Sequence, residues 1–223
     1  MNYSTLTLLI PAKEDTDCLF QVLKELEKYD IKKIIVIPKN TTLPNNVNFD
    51  KIKIINQSKN GYGNALIEGI NKIDTEFFCI FNADGSFVPA ELDKMLELTK
   101  QFDFIFASRY LKNAKSDDDT VITFLGNYFF STIGKIFFNV RLSDILYTFV
   151  LCNTKKTKLL NLISEDFGFC IELPIKIERK KFKYIDIASH ERNRISGKKN
   201  VREFVDGFKI LIKMIKLFFY KKI

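Results

Sequence analysis

Oxygen-bearing side chains interrupt an apolar stretch of the sequence at residues 79–89, CIFNADGSFVP. Asp84 and Ser86 stand two residues apart with Gly85 between them, so a turn at the glycine could direct both oxygens into one site. Hard divalent cations such as Mg²⁺ or Mn²⁺ bind a few protein oxygens and share their other positions with phosphate and water. The segment therefore predicts a metal site at Asp84 and Ser86, although Asp-Gly-Ser is also ordinary turn chemistry.

A second candidate is the glycine-containing segment KNGYGNA at residues 59–65. It follows an apolar run and opens an amphipathic stretch, and the free amide groups at a helix N-terminus favour anions. It is neither a Walker A loop nor a GxGxxG fingerprint. The segment indicates either a phosphate-binding turn or a flexible loop before a helix.

The third candidate, ASRY at residues 107–110, closes another apolar run. A guanidinium at this point could bind a phosphate group through two parallel hydrogen bonds, which makes Arg109 a candidate anion ligand. An arginine on the surface at the end of a strand is the plainer interpretation.

The elements that carry these candidates are predicted from the alternation of apolar runs and amphipathic stretches. Strands are predicted at 5–10, 33–37, 51–55, 77–81 and 103–107, and helices at 16–29, 62–73 and 89–100. The strands are apolar on both faces, which is typical of a parallel sheet covered on both sides. In such a doubly wound α/β fold, ligands bind beyond the carboxyl ends of the strands, where all three candidates are expected.

The second half of the chain follows a different pattern. Residues 112–119 are polar and acidic and predict a mobile loop. Further helices are predicted at 121–139, 154–163 and 170–179, an apolar segment at 148–152 and a late strand at 183–187. No repeat or linker divides the sequence, so one domain is predicted over 1–200, followed by a helix over 201–223.

Composition limits the class of protein. The 223 residues are 46% hydrophobic and 28% charged, which is typical of a globular chain. One histidine and four scattered cysteines exclude a Cys/His zinc cluster, and the cysteines are interpreted as reduced core thiols of a cytoplasmic protein. Neither a signal peptide nor a membrane-spanning helix is expected.

Positive charge is concentrated at the end of the chain. Residues 190–223 carry ten Lys or Arg against three acids, an excess of seven in a chain of net charge +8. Lys209, Lys213 and Lys216 recur at helical spacing on an otherwise apolar stretch, which predicts a basic amphipathic helix. Such a helix suits an anionic membrane surface, although docking against the core or a dimer contact would give the same pattern. Nucleic acid is not an expected partner, because no recognition motif accompanies the basic residues.

Taken together, these segments resemble the family-2 glycosyltransferases of the GT-A fold, especially the branch of dolichyl- or polyprenyl-phosphate sugar transferases. FNADGSFVP stands in the place of the family's Asp-x-Asp motif, and ASRY in the place of Gly-Ser-Arg-Tyr. The other segments that resemble the family are LLIPAKED (8–15), NGYGNALIEGI (60–70), LSDILYTFVLC (142–152), CIELPIK (170–176) and HERNRISGKKN (190–200).

The resemblance implies an inverting transfer of a sugar from a nucleotide-sugar donor, with Mg²⁺ or Mn²⁺ bound by Asp84 and Ser86. The donor-binding residues that it implies are Pro11, Ala12, Glu14, Asp15, Gly61, Asn64, Asn82, Ala83, Asp84, Arg194 and Lys198. Arg109 and Asp144 are the implied catalytic residues, and Glu172 is placed like an acid on the acceptor side. Asp144 would serve as the base for a hydroxyl acceptor, or as an orienting group for a lipid phosphate.

The implied partners are a polyprenyl-phosphate or growing surface glycan as acceptor, and an anionic membrane. The protein would then be cytoplasmic, either free or peripheral on the inner face of the membrane. Departures from the family pattern keep another reading open. Asn82 replaces an acid, and Pro38-Lys39-Asn40 stands where the family has acids that contact the nucleotide. A non-catalytic, glycosyltransferase-like protein that binds a membrane or a partner would also suit these changes.

Overall fold

The structure is a computed structural model that describes residues 2–13, 16–39, 41, 51–195 and 203–220. Glu14, Asp15 and Lys198, which the resemblance assigned to the donor, lie outside these ranges. The strands are β1 (Leu6–Pro11), β2 (Lys32–Pro38), β3 (Ile52–Gln57), β4 (Phe77–Ile80), β5 (Phe104–Ser108), β6 (Lys115–Ser116), β7 (Val150–Asn153), β8 (Tyr184–Ala188) and β9 (His190–Glu191). The helices are α1 (Thr16–Glu25), α2 (Tyr62–Asn71), α3 (Glu91–Leu98), α4 (Val121–Phe138), α5 (Thr154–Lys158), α6 (Phe169–Arg179) and α7 (Glu203–Phe219).

Seven strands form the main sheet, in the order β3-β2-β1-β4-β7-β5-β8. Only β7 among them runs antiparallel to its neighbours, β4 and β5, and the other described pairs of this sheet are parallel. The predicted fold class, a mostly parallel sheet with helices on both faces, is confirmed. The antiparallel strand comes from the second half of the chain, after the βα alternation has ended.

Two apolar cores lie on opposite faces of the sheet because alternate residues of a strand point in opposite directions. In β1, Leu8 and Ile10 join the core covered by α1 and α3, whereas Leu9 joins the core covered by α2, α6 and α7. In β4, Cys79 and Phe78 divide in the same way. Burial on both faces explains why these strands read as continuous apolar runs. All four cysteines are buried free thiols, as predicted.

The acidic stretch 112–119 is not simply a loop. It contains β6, which pairs in parallel with β9 and so ties residues 115 and 116 to residues 190 and 191. The expectation of a mobile loop was therefore wrong for this part of the stretch. The helix predicted at 154–163 was too long: α5 ends at Lys158, and Asn161 has the left-handed φ of 49°, which does not continue a helix.

Helix α4 has sharp ends but an unusual orientation. It begins at a capping box between Thr120 and Thr123 and ends at Asn139 in the left-handed conformation. Polar side chains lie on its buried face: Asn127 donates a hydrogen bond to the hydroxyl of Tyr110, and Ser131 accepts one from a backbone amide. Phe130 is buried beside them, whereas most of the other apolar side chains of the helix face outward.

Only 22% of the residues of α4 are buried. The 18 residues of the helix have a mean hydropathy of 1.3, so by length and composition alone it could cross a membrane. It packs against α6 and α7. Helix α7 buries Ile210, Met214 and Leu217 in the core and exposes apolar residues on its other side. The exposed apolar residues of the two helices are Val121, Ile122, Phe124, Leu125, Tyr128, Phe129, Ile136, Phe137, Phe204, Val205, Phe208, Ile215, Phe218 and Phe219.

Candidate active site

The turn after β4 holds the Asp84 carboxylate by one oxygen. Gly85 has φ +79°, and the backbone amide and hydroxyl of Ser86 donate to Asp84 Oδ1 at 3.0 and 2.7 Å. Asp84 Oδ2 faces Arg194 Nη1 at 3.9 Å. Phe87 anchors the turn by stacking on Phe149, with ring centroids 4.5 Å apart. Ser86 thus orients the carboxylate in this arrangement, and its role as a metal ligand stays a prediction.

Asn82 lies beside the first residue of α2. The hydroxyl of Tyr62 donates to Thr148 Oγ1 at 3.0 Å and lies 3.4 Å from Asn82 Oδ1. Tyr62 itself stacks on Phe167 at 5.1 Å between ring centroids. The amide that replaces the family's acid is therefore packed within a hydrogen-bonded group that joins β4, α2 and the segment before β7.

The residues predicted at the first turn also lie at the carboxyl edge of the sheet. Pro11 ends β1, and the amide of Ala12 donates to the carbonyl of Val36 at 2.9 Å. Ala12 and Ala83 are both buried. The edge predicted to bind the donor thus contains Pro11, Ala12 and Ala83 together with Asp84.

The glycines of the NGYGN segment let another part of the chain approach closely. A Cβ atom at Gly61 would lie 2.2 Å from the carbonyl oxygen of Glu165, and one at Gly63 would lie 2.0 Å from that of Ser164. The amide of Asn64 donates to the Glu165 carbonyl at 3.1 Å. The N-terminus of α2 is therefore covered by residues 164–166, and donor binding by Gly61 and Asn64 stays a prediction.

Glu172 binds the backbone at the start of that covering segment. Its side chain is fully buried, and Oε2 accepts hydrogen bonds from the amides of Ile163 at 3.1 Å and Ser164 at 2.7 Å. Lys176 Nζ lies 2.8 Å from Oε1, and Lys213 of α7 lies 3.8 Å from Oε2. Burial alone would raise the pKa of Glu172, but these contacts outweigh it and lower the pKa. The carboxylate thus holds the chain in place, and its role as an acid on the acceptor side stays a prediction.

Arg109 and Asp144 form a buried ion pair. Arg109 Nε and Nη2 donate to the two carboxylate oxygens at 2.7 and 3.0 Å, and the Asp144 side chain is completely buried. The guanidinium also lies over the ring of Tyr147, 4.5 Å from its centroid. Burial works to lower the pKa of Arg109, but Asp144 and Glu191 outweigh it and raise the pKa. The two residues that the resemblance implied as catalytic thus lie together, and their catalytic roles stay predictions.

Glu191 is a functional candidate that the sequence analysis missed. Its Oε2 accepts from Ser116 Oγ and lies 3.3 Å from Arg109 Nη1, and the residue is 7% exposed. Burial raises the pKa of Glu191, and the contact with Arg109 only partly opposes that rise. The one signal in the sequence is an acid within the basic segment HERNR, which by itself predicts no partner.

Arg194 joins this cluster to the Asp84 turn. Its Nη2 lies 2.8 Å from Asp118 Oδ2, and its Nη1 faces Asp84. The amides of Arg192 and Ile195 donate to the carbonyls of Ser86 and Asp84, both at 2.8 Å. Residues 190–195 therefore run along the turn, with Arg109 at one end and Asp84 at the other.

The donor set at Asp84 fits a nucleotide-bound cation. No three acid, histidine or cysteine side chains within the described ranges converge as a metal cluster. A nucleotide-bound Mg²⁺ needs only one or two carboxylates, because phosphate and water fill its other positions. Asp84 Oδ2, which accepts no hydrogen bond from the described part of the chain, provides one such carboxylate oxygen.

Solved structures with the same fold define its class as GT-A. Glucosyl-3-phosphoglycerate synthase from Mycobacterium tuberculosis, in complex with Mn²⁺, UDP and phosphoglyceric acid, is 9% identical, with a TM-score of 0.71 over 96% of this chain and 78% of that chain. The same enzyme with Mg²⁺ and UDP is 10% identical, with a TM-score of 0.69 over 95% and 78% of the two chains. Mannosyl-3-phosphoglycerate synthase from Rubrobacter xylanophilus is 12% identical, with a TM-score of 0.68 over 95% and 73%.

A family model places the chain more closely. The model described as glycosyl transferase family 2 matches residues 14–160, well over half of the chain. The protein belongs to glycosyl transferase family 2, as the sequence motifs predicted. No curated protein sequence matches the chain.

Proposed function

We propose that this protein is an inverting glycosyltransferase that moves a sugar from a nucleoside-diphosphate donor to a phosphate acceptor carried by a lipid. The observation that carries the proposal is the Asp84 turn at the carboxyl edge of the sheet. One carboxylate oxygen is fixed there by Ser86, and the other faces Arg194. A carboxylate beside a guanidinium suits a cation and a diphosphate that bind together.

On the donor side, Asp84 would hold Mg²⁺ or Mn²⁺, with phosphate and water in the other positions of the ion. The bound ion would supply positive charge to the departing diphosphate. Arg194 provides further positive charge at the same place, and its side chain is 23% exposed and so accessible to a ligand. Fixed charges directed at a leaving group lower the barrier most where water is excluded. The structures of UDP complexes with Mn²⁺ or Mg²⁺ in proteins of this fold support this assignment.

On the acceptor side, the buried ion pair favours a phosphate over a hydroxyl. A hydroxyl must lose a proton to a base, whereas a phosphate monoester is already ionised at neutral pH. Both oxygens of Asp144 are bonded to Arg109 and the carboxylate has no exposed surface, which makes it a poor proton acceptor. Asp144 would instead orient Arg109.

The outward apolar faces of α4 and α7 support a lipid-borne acceptor. Two adjacent helices expose apolar side chains along one surface, with Lys209 and Lys216 at its edge. Lys213, the third lysine of the predicted stripe, instead turns inward to Glu172. Apolar side chains bordered by lysines suit an anionic leaflet. The protein would act on the cytoplasmic side of that membrane.

Ligand-induced stabilisation tests the donor half of the proposal. UDP or GDP with Mn²⁺ should raise the melting temperature of the wild type, since a ligand that binds only the folded state stabilises it. Asp84→Ala should abolish the Mn²⁺-dependent part of the shift. Asp74→Asn is the matched control, because Asp74 is an exposed acid that pairs with Lys32 just before the amino end of β4.

Two outcomes would contradict the proposal. An unchanged Mn²⁺-dependent shift in Asp84→Ala would remove the metal from this turn. A wild type that no nucleoside diphosphate stabilises would favour the non-catalytic alternative.

A further inference from the structure

The guanidinium of Arg194 already has an anionic partner within the protein. Asp118 Oδ2 lies 2.8 Å from Nη2, and Asp118 Oδ1 lies 3.5 Å from Nε. These two nitrogens form the edge of an arginine that binds two oxygens of one phosphate in parallel. The carboxylate therefore occupies one of the two edges through which Arg194 could bind a donor phosphate, and Nη1 on the other edge faces Asp84.

Asp118 is held in this position by the pairing of two chain segments. The acidic segment runs alongside residues 190–195 through the β6–β9 pair, and the amide of Asp117 donates to the carbonyl of Glu191 at 2.8 Å. Residues 190–195 also lie on the Asp84 turn, where the side chain of Ile195 covers Gly85. The acidic segment and the turn thus approach Arg194 from different parts of the chain.

We propose that Asp118 is an internal competitor for the donor diphosphate, which must displace its carboxylate in order to bind the Nε and Nη2 edge of Arg194. The inference rests on the proposed function, because it takes Arg194 as a ligand of the donor. Displacement requires no opening of the core, since the side chains of Arg194 and Asp118 are 23% and 17% exposed. Asp118 would thereby lower the affinity of the site for nucleotide, compared with a site in which Arg194 had no carboxylate partner.

Neutralising Asp118 should therefore strengthen nucleotide binding. In titration calorimetry with the Mn²⁺ complexes of UDP and GDP, we expect Asp118→Asn and Asp118→Ser to bind roughly three- to tenfold more tightly than wild type, the size of one partly screened ion pair. Two different replacements separate the loss of charge from an effect of the new side chain.

Asp117→Asn is the matched control. Asp117 belongs to the same acidic segment, but its side chain contacts Lys115 and His190. Its replacement removes the same charge from the loop and should leave nucleotide affinity within about twofold of wild type, because exposed charges a residue away act weakly.

Arg194→Ala separates this inference from the proposed function. It should weaken binding, and adding Asp118→Asn to it should give no gain, because no guanidinium remains to be released. If Arg194→Ala binds like wild type, or if no variant binds either nucleotide, the donor role of Arg194 and the inference both fail. If Arg194→Ala weakens binding while both Asp118 variants match or fall below wild type, only the competitor role is wrong.

Discussion

At the scale of single residues, the positions of the candidate groups were predictable but their bonding was not. Asp84 and Arg109 follow apolar runs in the sequence, so the sheet places them at its carboxyl edge. The partners of Arg109 come from residues 144 and 191, and nothing local to Arg109 predicts either contact. The same holds for Gly61 and Gly63, which suggested a ligand and in fact accommodate the chain at 164–166.

The Glu172 carboxylate should contribute a stability that depends on pH. Its folded-state pKa lies below the ordinary value of 4.5, so the ionised group stabilises the fold above that pH. This stabilisation is lost as the pH falls below 4.5 toward and through the lowered pKa. We expect Glu172→Gln to lose about 3 kcal/mol at pH 7, since it leaves the buried Lys176 without its carboxylate partner.

Urea unfolding at a series of pH values measures this difference. The gap between wild type and Glu172→Gln should narrow as the pH falls below 4.5. Glu97→Gln, an exposed position on α3, should stay within about 0.5 kcal/mol of wild type throughout. A gap that is constant with pH would contradict the assignment of the lowered pKa to this carboxylate.

At the scale of secondary-structure elements, the long regular strands and helices were predicted to within a few residues. The two-residue strands β6 and β9 were missed, because two residues carry no detectable periodicity and their pairing joins segments 75 residues apart. The orientation of α4 was missed for another reason. A broad apolar face normally indicates burial, whereas here Phe130 shares the buried face with Asn127 and Ser131, and most of the apolar residues are exposed.

Alanine substitutions at two helical glycines, Gly63 in α2 and Gly126 in α4, should have opposite effects on stability, because only Gly63 packs against residues 164–166. Replacing a helical glycine by alanine ordinarily stabilises a protein by about 1 kcal/mol. Gly126→Ala on α4 should do so, since the added Cβ would meet no described atom within 4 Å apart from its chain neighbours and the backbone of its own helix. Gly63→Ala should instead destabilise by roughly 2 kcal/mol, because its Cβ meets backbone oxygens that cannot rotate away.

Denaturant unfolding of the two alanine variants measures these effects. The midpoint should rise above that of wild type for Gly126→Ala and fall below it for Gly63→Ala. Equal stabilisation by both would show that residues 164–166 do not pack against the start of α2 in solution.

At the scale of the whole molecule, the exposed surface of α4 and α7 predicts binding to anionic vesicles. The wild type should float with vesicles that contain phosphatidylglycerol, and less with neutral phosphatidylcholine, because lysines border the apolar surface. Leu125→Glu and Phe208→Glu place a charge on that surface in each helix and should reduce flotation about tenfold. Leu159→Glu is the control, an exposed leucine at the end of α5.

A protein that stays entirely unbound, or variants that float like wild type, would contradict the membrane role. Size-exclusion chromatography distinguishes membrane binding from the main alternative, a contact between two copies of the chain. If the wild type is a dimer and Leu125→Glu is a monomer, with neither bound to vesicles, the surface joins two copies of the chain.

The position of β7 has a consequence for synthesis of the chain. This strand begins at Val150, yet it fills the gap between β4 and β5, which end at Ile80 and Ser108. While translation proceeds from residue 109 to residue 153, the nascent chain therefore holds two apolar strands whose facing edges have no partner. Open edges of this kind recruit other chains, so a chaperone bound during this interval would protect the nascent protein from association.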